Sequence, residues 1–287
     1  MKEVVVLSGK GGTGKTSLVG SFAALAKSKV LVDCDVDAAD LHLLLHPVIR
    51  QKHEFWSGYT AFIDEGKCTR CGLCQDLCRF KAIKDFRVDT KSCEGCGFCF
   101  QVCPAEAVTM KENMAGHWFM SDSGYGTLLY AGLGVAQDNS GKLVTLVRQQ
   151  AREAAEKEGA DYLISDGPPG IGCPVISSLS GVDLALVVTE PTLTGIHDLE
   201  RVLDVCYHFK VKALVCINKY DINKDNTRQI EDYCYRHGIE VVSRIPFDNV
   251  VTEAMVEGLP VIEYRSGEVS QQLDLLWGKV AALLAKN

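Results

Sequence analysis

Short apolar runs alternate with longer segments in which apolar residues recur at helical spacing. The apolar runs have the length of strands that are buried on both faces. This alternation predicts a doubly wound α/β fold with a mostly parallel sheet. The predicted strands are residues 4–7, 30–32, 116–121, 184–189, 213–218 and 241–245, the predicted helices are residues 17–26, 140–157 and 268–285, and glycine-rich loops are expected at 123–127 and 131–135.

A glycine-rich segment lies between the first predicted strand and the first predicted helix. Residues 9–16 read G-K-G-G-T-G-K-T and fit the pattern G-x-x-x-x-G-K-[ST]. In this pattern backbone N–H groups surround phosphate oxygens, and the helix N-terminus adds partial positive charge. Lys15 is then expected to reach the β- and γ-phosphates and Thr16 to bind Mg²⁺. The predicted nucleotide-binding residues of this segment are Gly9, Lys10, Gly11, Gly12, Thr13, Gly14, Lys15, Thr16 and Ser17.

Aspartates follow two of the predicted strands. Asp33 and Asp35 follow the strand at 30–32, and Asp166 ends a further predicted strand inside D-Y-L-I-S-D-G-P-P-G-I-G. Ligands of doubly wound sheets bind at the carboxyl ends of the strands, so these side chains are predicted to face the phosphate loop. Asp166 is predicted to bind Mg²⁺ directly or through water. For Asp33 and Asp35, a solvated cluster of surface carboxylates is the alternative.

Eight of the 13 cysteines occur in two runs with the spacing C-x₂-C-x₂-C-x₃-C, and Pro104 follows the second run. This spacing matches bacterial two-cluster ferredoxins, in which the fourth cysteine of each run ligates the other cluster. Zinc sites and a disulfide knot are the alternatives, although zinc modules usually pair two C-x₂-C knuckles. The predicted ligands are Cys68, Cys71, Cys74 and Cys103 for one [4Fe–4S] cluster and Cys93, Cys96, Cys99 and Cys78 for the other.

The segments around the two cysteine runs also repeat, as A-F-I-D-E-G-K-C and R-V-D-T-K-S-C. We therefore predict an inserted α+β two-cluster ferredoxin-like domain at residues 58–112. The P-loop ATPase domain is predicted to comprise residues 1–57 and 113–287. An insert of this length buries little core, so bound clusters are expected to supply folding free energy.

Because of Lys10, the loop resembles the deviant Walker A motif of the MinD/ParA ATPases, the nitrogenase iron protein and the Mrp/Nbp35 ATPases. This resemblance implies that Lys10 contacts the nucleotide of a partner subunit, in a nucleotide-dependent homodimer or a heterodimer with a paralogue. It implies a catalytic role for Lys10, Lys15 and Asp35, with Asp35 near the attacking water. It also implies that Asn218 and the backbone at Pro246 lie beside the adenine.

Composition excludes several classes of protein. A hydrophobic content of 47% excludes a disordered chain, and a net charge of −7 argues against a broad nucleic-acid-binding surface. The longest apolar stretches are too short for a membrane span, and the first strand begins without a signal peptide. The expected location is therefore cytoplasmic. The C-terminal helix has few basic residues, so we expect it to pack on the sheet rather than bind a membrane.

The predicted function is a Mg²⁺-dependent ATPase in which nucleotide state controls electron transfer through two [4Fe–4S] clusters. The predicted insert directly follows the segment around Asp35, which is expected to move with the γ-phosphate. Two alternatives remain open: a MinD-like spatial or assembly regulator with structural or redox-sensing clusters, and a metallocofactor-maturation ATPase with transferable clusters. In each case the partner is expected to be a redox or client protein.

Overall fold

The structure is a computed structural model that describes residues 1–134 and 140–286. The last residue of the predicted loop at 131–135 therefore lies outside the described residues. The chain divides into two compact units. The first contains Met1–Lys52, Trp118–Gly132 and the chain from Ser140 onward, and the second contains His53–His117 with Leu133 and Gly134. The predicted limits of the insert, 58 and 112, lie inside the second unit.

The elements in the described ranges follow in chain order. The strands are β1 (Lys2–Ser8), β2 (Lys29–Asp33), β3 (Val48–Ile63), β4 (Ile83–Lys84), β5 (Arg87–Val88), β6 (Val108–Ser123), β7 (Gly126–Leu133), β8 (Tyr162–Pro169), β9 (Leu184–Thr189), β10 (Ala213–Asn218) and β11 (Glu240–Ile245). The helices are α1 (Lys15–Leu25), α2 (Leu41–Leu45), α3 (Leu73–Asp76), α4 (Phe98–Val102), α5 (Ser140–Glu158), α6 (Cys173–Leu179), α7 (Leu193–His208), α8 (Lys224–Arg236), α9 (Val250–Val256), α10 (Val261–Tyr264) and α11 (Glu268–Lys286).

The main sheet has the strand order β11-β10-β9-β1-β8-β2-β7-β6-β3. Every pairing from β11 through β7 is parallel. Alternate residues of β1 enter two different core clusters: Val4 and Val6 pack in one, Val5 and Leu7 in the other. Successive strand residues point to opposite faces, so both faces of the sheet are covered. The predicted doubly wound, mostly parallel sheet is confirmed.

Strands β7, β3 and β6 differ from the prediction, and the short strands β4 and β5 were not predicted. The loops predicted at 123–127 and 131–135 are wrong for most of their length, since β7 occupies 126–133 and only Gly124 and Tyr125 form the turn. Leu128 and Leu129 are fully buried in β7. The glycines on either side of them are typical of loops, so this apolar run was not predicted as a strand. Strand β3 was not predicted, because it is the sheet edge and residues 48–54 are all exposed. Strand β6 begins at Val108, eight residues before the predicted start at Gly116.

Helix α11 packs on the first unit as predicted. Leu273, Leu276, Trp277 and Val280 are buried in the core cluster that also contains Phe22 of α1. Within residues 1–134 and 140–286, the structure has no helix with the length and apolar character needed to cross a bilayer.

A buried charge cluster links α5 to β1 and α6. The Arg148 guanidinium is 2% exposed and donates to the backbone oxygens of Ser177 and Ser180, at 2.7 and 2.9 Å. It also pairs with Glu3 of β1 at 2.9 Å. Arg152 donates to the same carboxylate and to Ser180 O. These bonds satisfy free carbonyls at the C-terminal end of α6 and fix the helix that follows Asp166.

The second unit is built from two copies of one local structure. The N–H groups of Gly66 and Lys91 bind the side chains of Asp64 and Asp89, each four residues before the first cysteine of a run, at 2.9 and 3.0 Å. Further along each run, Gly72 and Gly97 have φ values of 83° and 74° and begin α3 and α4. The sequence repeat is therefore also a structural repeat.

Candidate functional site

The phosphate loop joins β1 to α1. Gly14 has φ 93°, and a Cβ atom there would lie 2.5 Å from Asn218 Nδ2, so only glycine fits both the conformation and the space. At Gly9, a Cβ atom would lie 2.4 Å from Asp198 Cβ on α7. Gly11 and Gly12 are exposed. Thr13 is 2% exposed, and its hydroxyl has no hydrogen-bond partner among the described residues.

Lys15 lies inside this loop and is 7% exposed. Its ammonium donates to the Ser8 hydroxyl at 2.9 Å, and that hydroxyl donates to the backbone oxygen of Lys10 at 2.6 Å. The loop is thus organised around the lysine. The Ser17 hydroxyl, unlike the Lys15 ammonium, contacts a residue outside the loop, the sulfur of Met255, at 3.1 Å.

Two aspartates lie side by side at the ends of neighbouring strands. Asp33 on β2 is paired in register with Asp166 on β8, and the two side chains are 0% and 2% exposed. Burial raises the pKa of the Asp33 carboxyl well above its usual range, and the negative charge of Asp166 adds to this effect. Burial also raises the pKa of the Asp166 carboxyl to about 6, against the opposing effects of Lys15 and a hydrogen bond from Thr16.

The two carboxylates differ in their partners. Asp33 accepts hydrogen bonds from the backbone N–H groups of Asp35 and Leu41, both at 3.0 Å, and so holds the segment between β2 and α2. By contrast, Asp166 Oδ1 is buried and has no partner among the described residues. A buried, unpaired carboxylate oxygen beside the Thr16 hydroxyl provides hard oxygen donors of the kind that Mg²⁺ prefers.

Asp35 is half-buried in the same group. Burial raises the pKa of its carboxyl, while the positive charge of Lys15 lowers it and the charge of Asp37 raises it. The structure therefore brings Asp35, Lys15, Thr16 and Asp166 together around one end of β2 and β8.

Residues at the ends of β10 and β11 border the loop. The Asn218 amide donates to Thr13 O at 2.8 Å and accepts from Lys219 N at 3.0 Å. Asn218 is also paired in register with Ile245, so Pro246 begins the neighbouring loop at the same sheet end. The polar atoms of Asn218 thus already support the loop backbone. One amide hydrogen and one lone pair of Asn218 remain available for a further contact.

Glu190 is a site residue that was not predicted from the sequence. Lys10 Nζ lies 2.5 Å from one oxygen of this carboxylate, and Lys219 Nζ lies 3.1 Å from the other. These ion pairs lower the pKa of the Glu190 carboxyl against the effect of its burial. No local motif marks Glu190, since the contact arises only when β9 and the phosphate loop lie next to each other.

The cysteines of the second unit line two cavities. All 13 cysteines of the chain are free thiols. Burial raises the pKa of Cys74, and so do the charges of Cys103, Cys68 and Cys71. Burial also raises the pKa of Cys99, with smaller contributions from Cys93, Cys96 and Cys74. One cavity is lined by Cys68, Cys71, Cys74 and Cys103, and the other by Cys74, Cys78, Cys93, Cys96 and Cys99.

In the part of the chain that the structure describes, no three His, Cys, Asp or Glu side chains are grouped to hold a single metal ion. Of the remaining cysteines, Cys34, Cys206, Cys216 and Cys234 are fully buried. Cys173 is exposed at the first residue of α6.

The fold and the phosphate loop define a P-loop nucleotide-binding protein. The family model of the CobQ/CobB/MinD/ParA nucleotide-binding domain matches residues 4–261, a range that includes the cysteine-rich segment. The chain belongs to this family, whose MinD and ParA members are nucleotide-binding ATPases.

Relatives of known sequence align with most of this chain. An uncharacterized protein of Methanocaldococcus jannaschii is 32% identical over 289 residues, which cover 97% of this chain and 96% of the relative. A putative septum site-determining protein MinD of Oltmannsiellopsis viridis is 27% identical, with 91% of this chain and 69% of the relative covered.

Solved structures share the fold. The cell division ATPase MinD of Pyrococcus furiosus matches with a TM-score of 0.61 and 19% identity, over 98% of this chain and 99% of that chain. MinD of Pyrococcus horikoshii, solved with Mg-ADP, matches with a TM-score of 0.57 and 18% identity, over 100% of this chain and 99% of that chain.

The buried Asp166 leads to a stability prediction. In the ligand-free protein at pH 7.5, Asp166→Asn should raise the free energy of unfolding by about 1–3 kcal/mol, because it removes a desolvated charge. An unfolded aspartate loses its proton near pH ~3.9, whereas folded Asp166 keeps its proton up to about pH 6. The free energy of unfolding of the wild-type protein should therefore fall as the pH rises from about 4 to about 6, whereas that of Asp166→Asn should lack this decrease.

Urea unfolding in EDTA, at several pH values, measures this difference. The control is Asp161→Asn, the same change at an exposed position just before β8. An Asp166→Asn variant less stable than wild type at pH 7.5 would contradict the assignment.

Proposed function

We propose that this protein binds and hydrolyses ATP with Mg²⁺ and couples its nucleotide state to electron transfer through two [4Fe–4S] clusters. The observation that carries the proposal is the division of eight cysteines between two cavities, on the same chain as a complete phosphate loop. Each predicted ligand set lines one cavity, including the fourth cysteine contributed by the other run. The proposed location is the cytoplasm.

In the ATPase part, the loop N–H groups and Lys15 bind the phosphates, and Lys15 stabilises negative charge that develops during transfer. Thr16 and Asp166 hold Mg²⁺, which is supported by the unpaired Asp166 Oδ1. Asp35 orients the attacking water. Asn218 and the backbone at Pro246 border the adenine. The Mg-ADP bound to the Pyrococcus horikoshii relative is consistent with this assignment.

Lys10 acts in trans in this proposal. Its side chain belongs to the phosphate loop but is not needed to complete the site around Lys15 in its own subunit. We place it on the phosphates of the nucleotide in a second subunit, either a copy of this chain or a paralogue. ATP-dependent dimerisation then completes the catalytic site.

In the cysteine-rich part, Cys68, Cys71, Cys74 and Cys103 hold one cluster, and Cys93, Cys96, Cys99 and Cys78 hold the other. The donor set fits, because soft thiolates suit iron and each thiolate of a cubane ligates a different iron atom. The four thiolates of one cluster lie farther apart than the ligands of a single metal ion. This agrees with the finding that, among the described residues, no three such side chains are grouped to hold one ion. When bound, each cluster supplies one-electron redox chemistry.

A second candidate function is a spatial or assembly regulator, favoured by the similarity to septum site-determining MinD proteins. In that case the clusters are structural or sense redox state. Nucleotide-dependent association with a partner protein, without any effect of nucleotide on electron transfer, would support this candidate over the first.

The crossed ligand sets lead to a prediction for single cysteine variants. Cys78→Ser and Cys103→Ser should each lower the iron content from roughly eight to roughly four atoms per chain, since each removes one ligand from one cluster. Anaerobic purification, iron analysis and EPR of the reduced protein measure this loss. The two variants should lose different EPR components.

Cys173→Ser is the matched control, an exposed cysteine outside both runs, and should leave the iron content unchanged. A wild-type protein that binds no iron, or that binds only zinc, would reject the cluster assignment.

The coupling itself leads to a rate prediction. The rate at which an artificial acceptor oxidises the dithionite-reduced protein should differ by at least about fivefold between the ATP-analogue and ADP complexes, a difference in activation free energy of about 1 kcal/mol. Lys15→Gln should abolish the difference and keep the clusters, because it removes the phosphate contact in the first unit only. Equal rates in both complexes of the wild type would reject gating.

A further inference from the structure

Glu190 connects two lysines of the phosphate-binding region. It follows β9 directly, and its two carboxylate oxygens bind different partners, Lys10 at 2.5 Å and Lys219 at 3.1 Å. The Glu190 side chain is 12% exposed, and those of Lys10 and Lys219 are 29% and 30% exposed. Water therefore screens these ion pairs less than it screens pairs on an open surface.

The start of α7 reinforces this arrangement. Lys10 Nζ also lies 3.3 Å from the hydroxyl of Thr192 and 3.4 Å from that of Thr194. The position of Glu190 is fixed, since Thr192 N donates to Glu190 O at 2.8 Å. A Cβ atom on Gly195 would lie only 2.3 Å from the same oxygen. Lys10 is thus held by a preformed set of oxygen acceptors in its own subunit.

Lys219 has a second role in the same network. Its ammonium lies 3.3 Å from Gly12 O, so it bridges Glu190 and the loop backbone. Lys219 adopts φ 54°, a left-handed conformation that is unusual for a non-glycine residue and that other contacts must maintain. Lys10 and Lys219 therefore share one carboxylate.

We infer that Glu190 is a positioning residue that retains Lys10 in its own subunit and thereby opposes nucleotide-dependent dimerisation. This inference rests on the proposed function, in which Lys10 reaches the nucleotide of a second subunit. Because the ammonium cannot contact both groups at once, dimer formation must break the Lys10–Glu190 pair. The triphosphate in the partner's site carries more negative charge than one carboxylate, and so it outcompetes Glu190 only when the nucleotide is present.

Substitutions at Glu190 and at Lys219 should have different effects on dimerisation. Glu190→Gln removes the charge that retains Lys10, so dimerisation with a nonhydrolysable ATP analogue should tighten by about tenfold, about 1.4 kcal/mol. Lys219→Met removes one of the two lysines that contact Glu190 and leaves the Lys10–Glu190 pair in place. Dimerisation with the analogue should therefore weaken or stay unchanged. A general loosening of the loop would instead change both variants in the same direction.

The experiment has two readouts. Sedimentation velocity measures the dimer dissociation constant with the analogue, and nucleotide affinity is titrated separately for each variant. Acylation of lysines, followed by mass spectrometry, measures the reactivity of Lys10 in the nucleotide-free monomer, with exposed Lys27 as the internal reference. Glu190→Gln should raise the reactivity of Lys10 severalfold. The control is Glu240→Gln, an exposed position at the start of β11, at the opposite end of the strand from Ile245.

The outcomes separate this inference from the proposal on which it rests. Unchanged Lys10 reactivity in Glu190→Gln, or tighter dimers in Lys219→Met as well, would overturn the inference. A wild-type protein that stays monomeric with the analogue would overturn the proposed dimer and, with it, the regulatory role of Glu190. Increased Lys10 reactivity together with tighter dimerisation in Glu190→Gln alone would support both.

Discussion

Two buried carboxylates at the ends of adjacent parallel strands dominate the electrostatics of the first unit. Asp33 and Asp166 are paired in register between β2 and β8, with almost no exposure to water. Asp33 is stabilised by two backbone N–H groups, whereas one oxygen of Asp166 has no partner among the described residues. Such a site binds a cation favourably, because the cation neutralises charge that the fold has already desolvated. This constraint explains why the lysine, threonine and aspartates converge here.

The second unit has a small apolar core that includes cysteines. Its buried apolar side chains are few, and cysteines are part of the same cluster, with Cys74 buried beside Ile63 and Ile83. Bound clusters would convert these cysteines into ligands and contribute folding free energy to a unit with a small core. In each unit, therefore, the proposed ligand accounts for polar groups that the apolar core leaves without a partner or only partly buried.

Sequence alone predicted the parts that local chemistry determines. The phosphate loop follows from a fixed spacing of glycines and Lys15, and the buried strands follow from apolar runs such as Val4–Leu7. The two cysteine sets follow from a repeat that is also visible in the structure. Sequence did not predict β3, whose edge position permits polar residues, or β7, whose flanking glycines resemble loops. Glu190 was missed because only tertiary structure brings it to Lys10.

The central claim is that nucleotide state and cluster oxidation state are coupled within one chain. The most direct measurement is the affinity for a nonhydrolysable ATP analogue, determined anaerobically by titration of the oxidised and the dithionite-reduced protein. Coupling between binding equilibria is reciprocal, so the account predicts affinities that differ by at least about fivefold between the two oxidation states. Equal affinities in a protein with a full complement of iron would contradict the account.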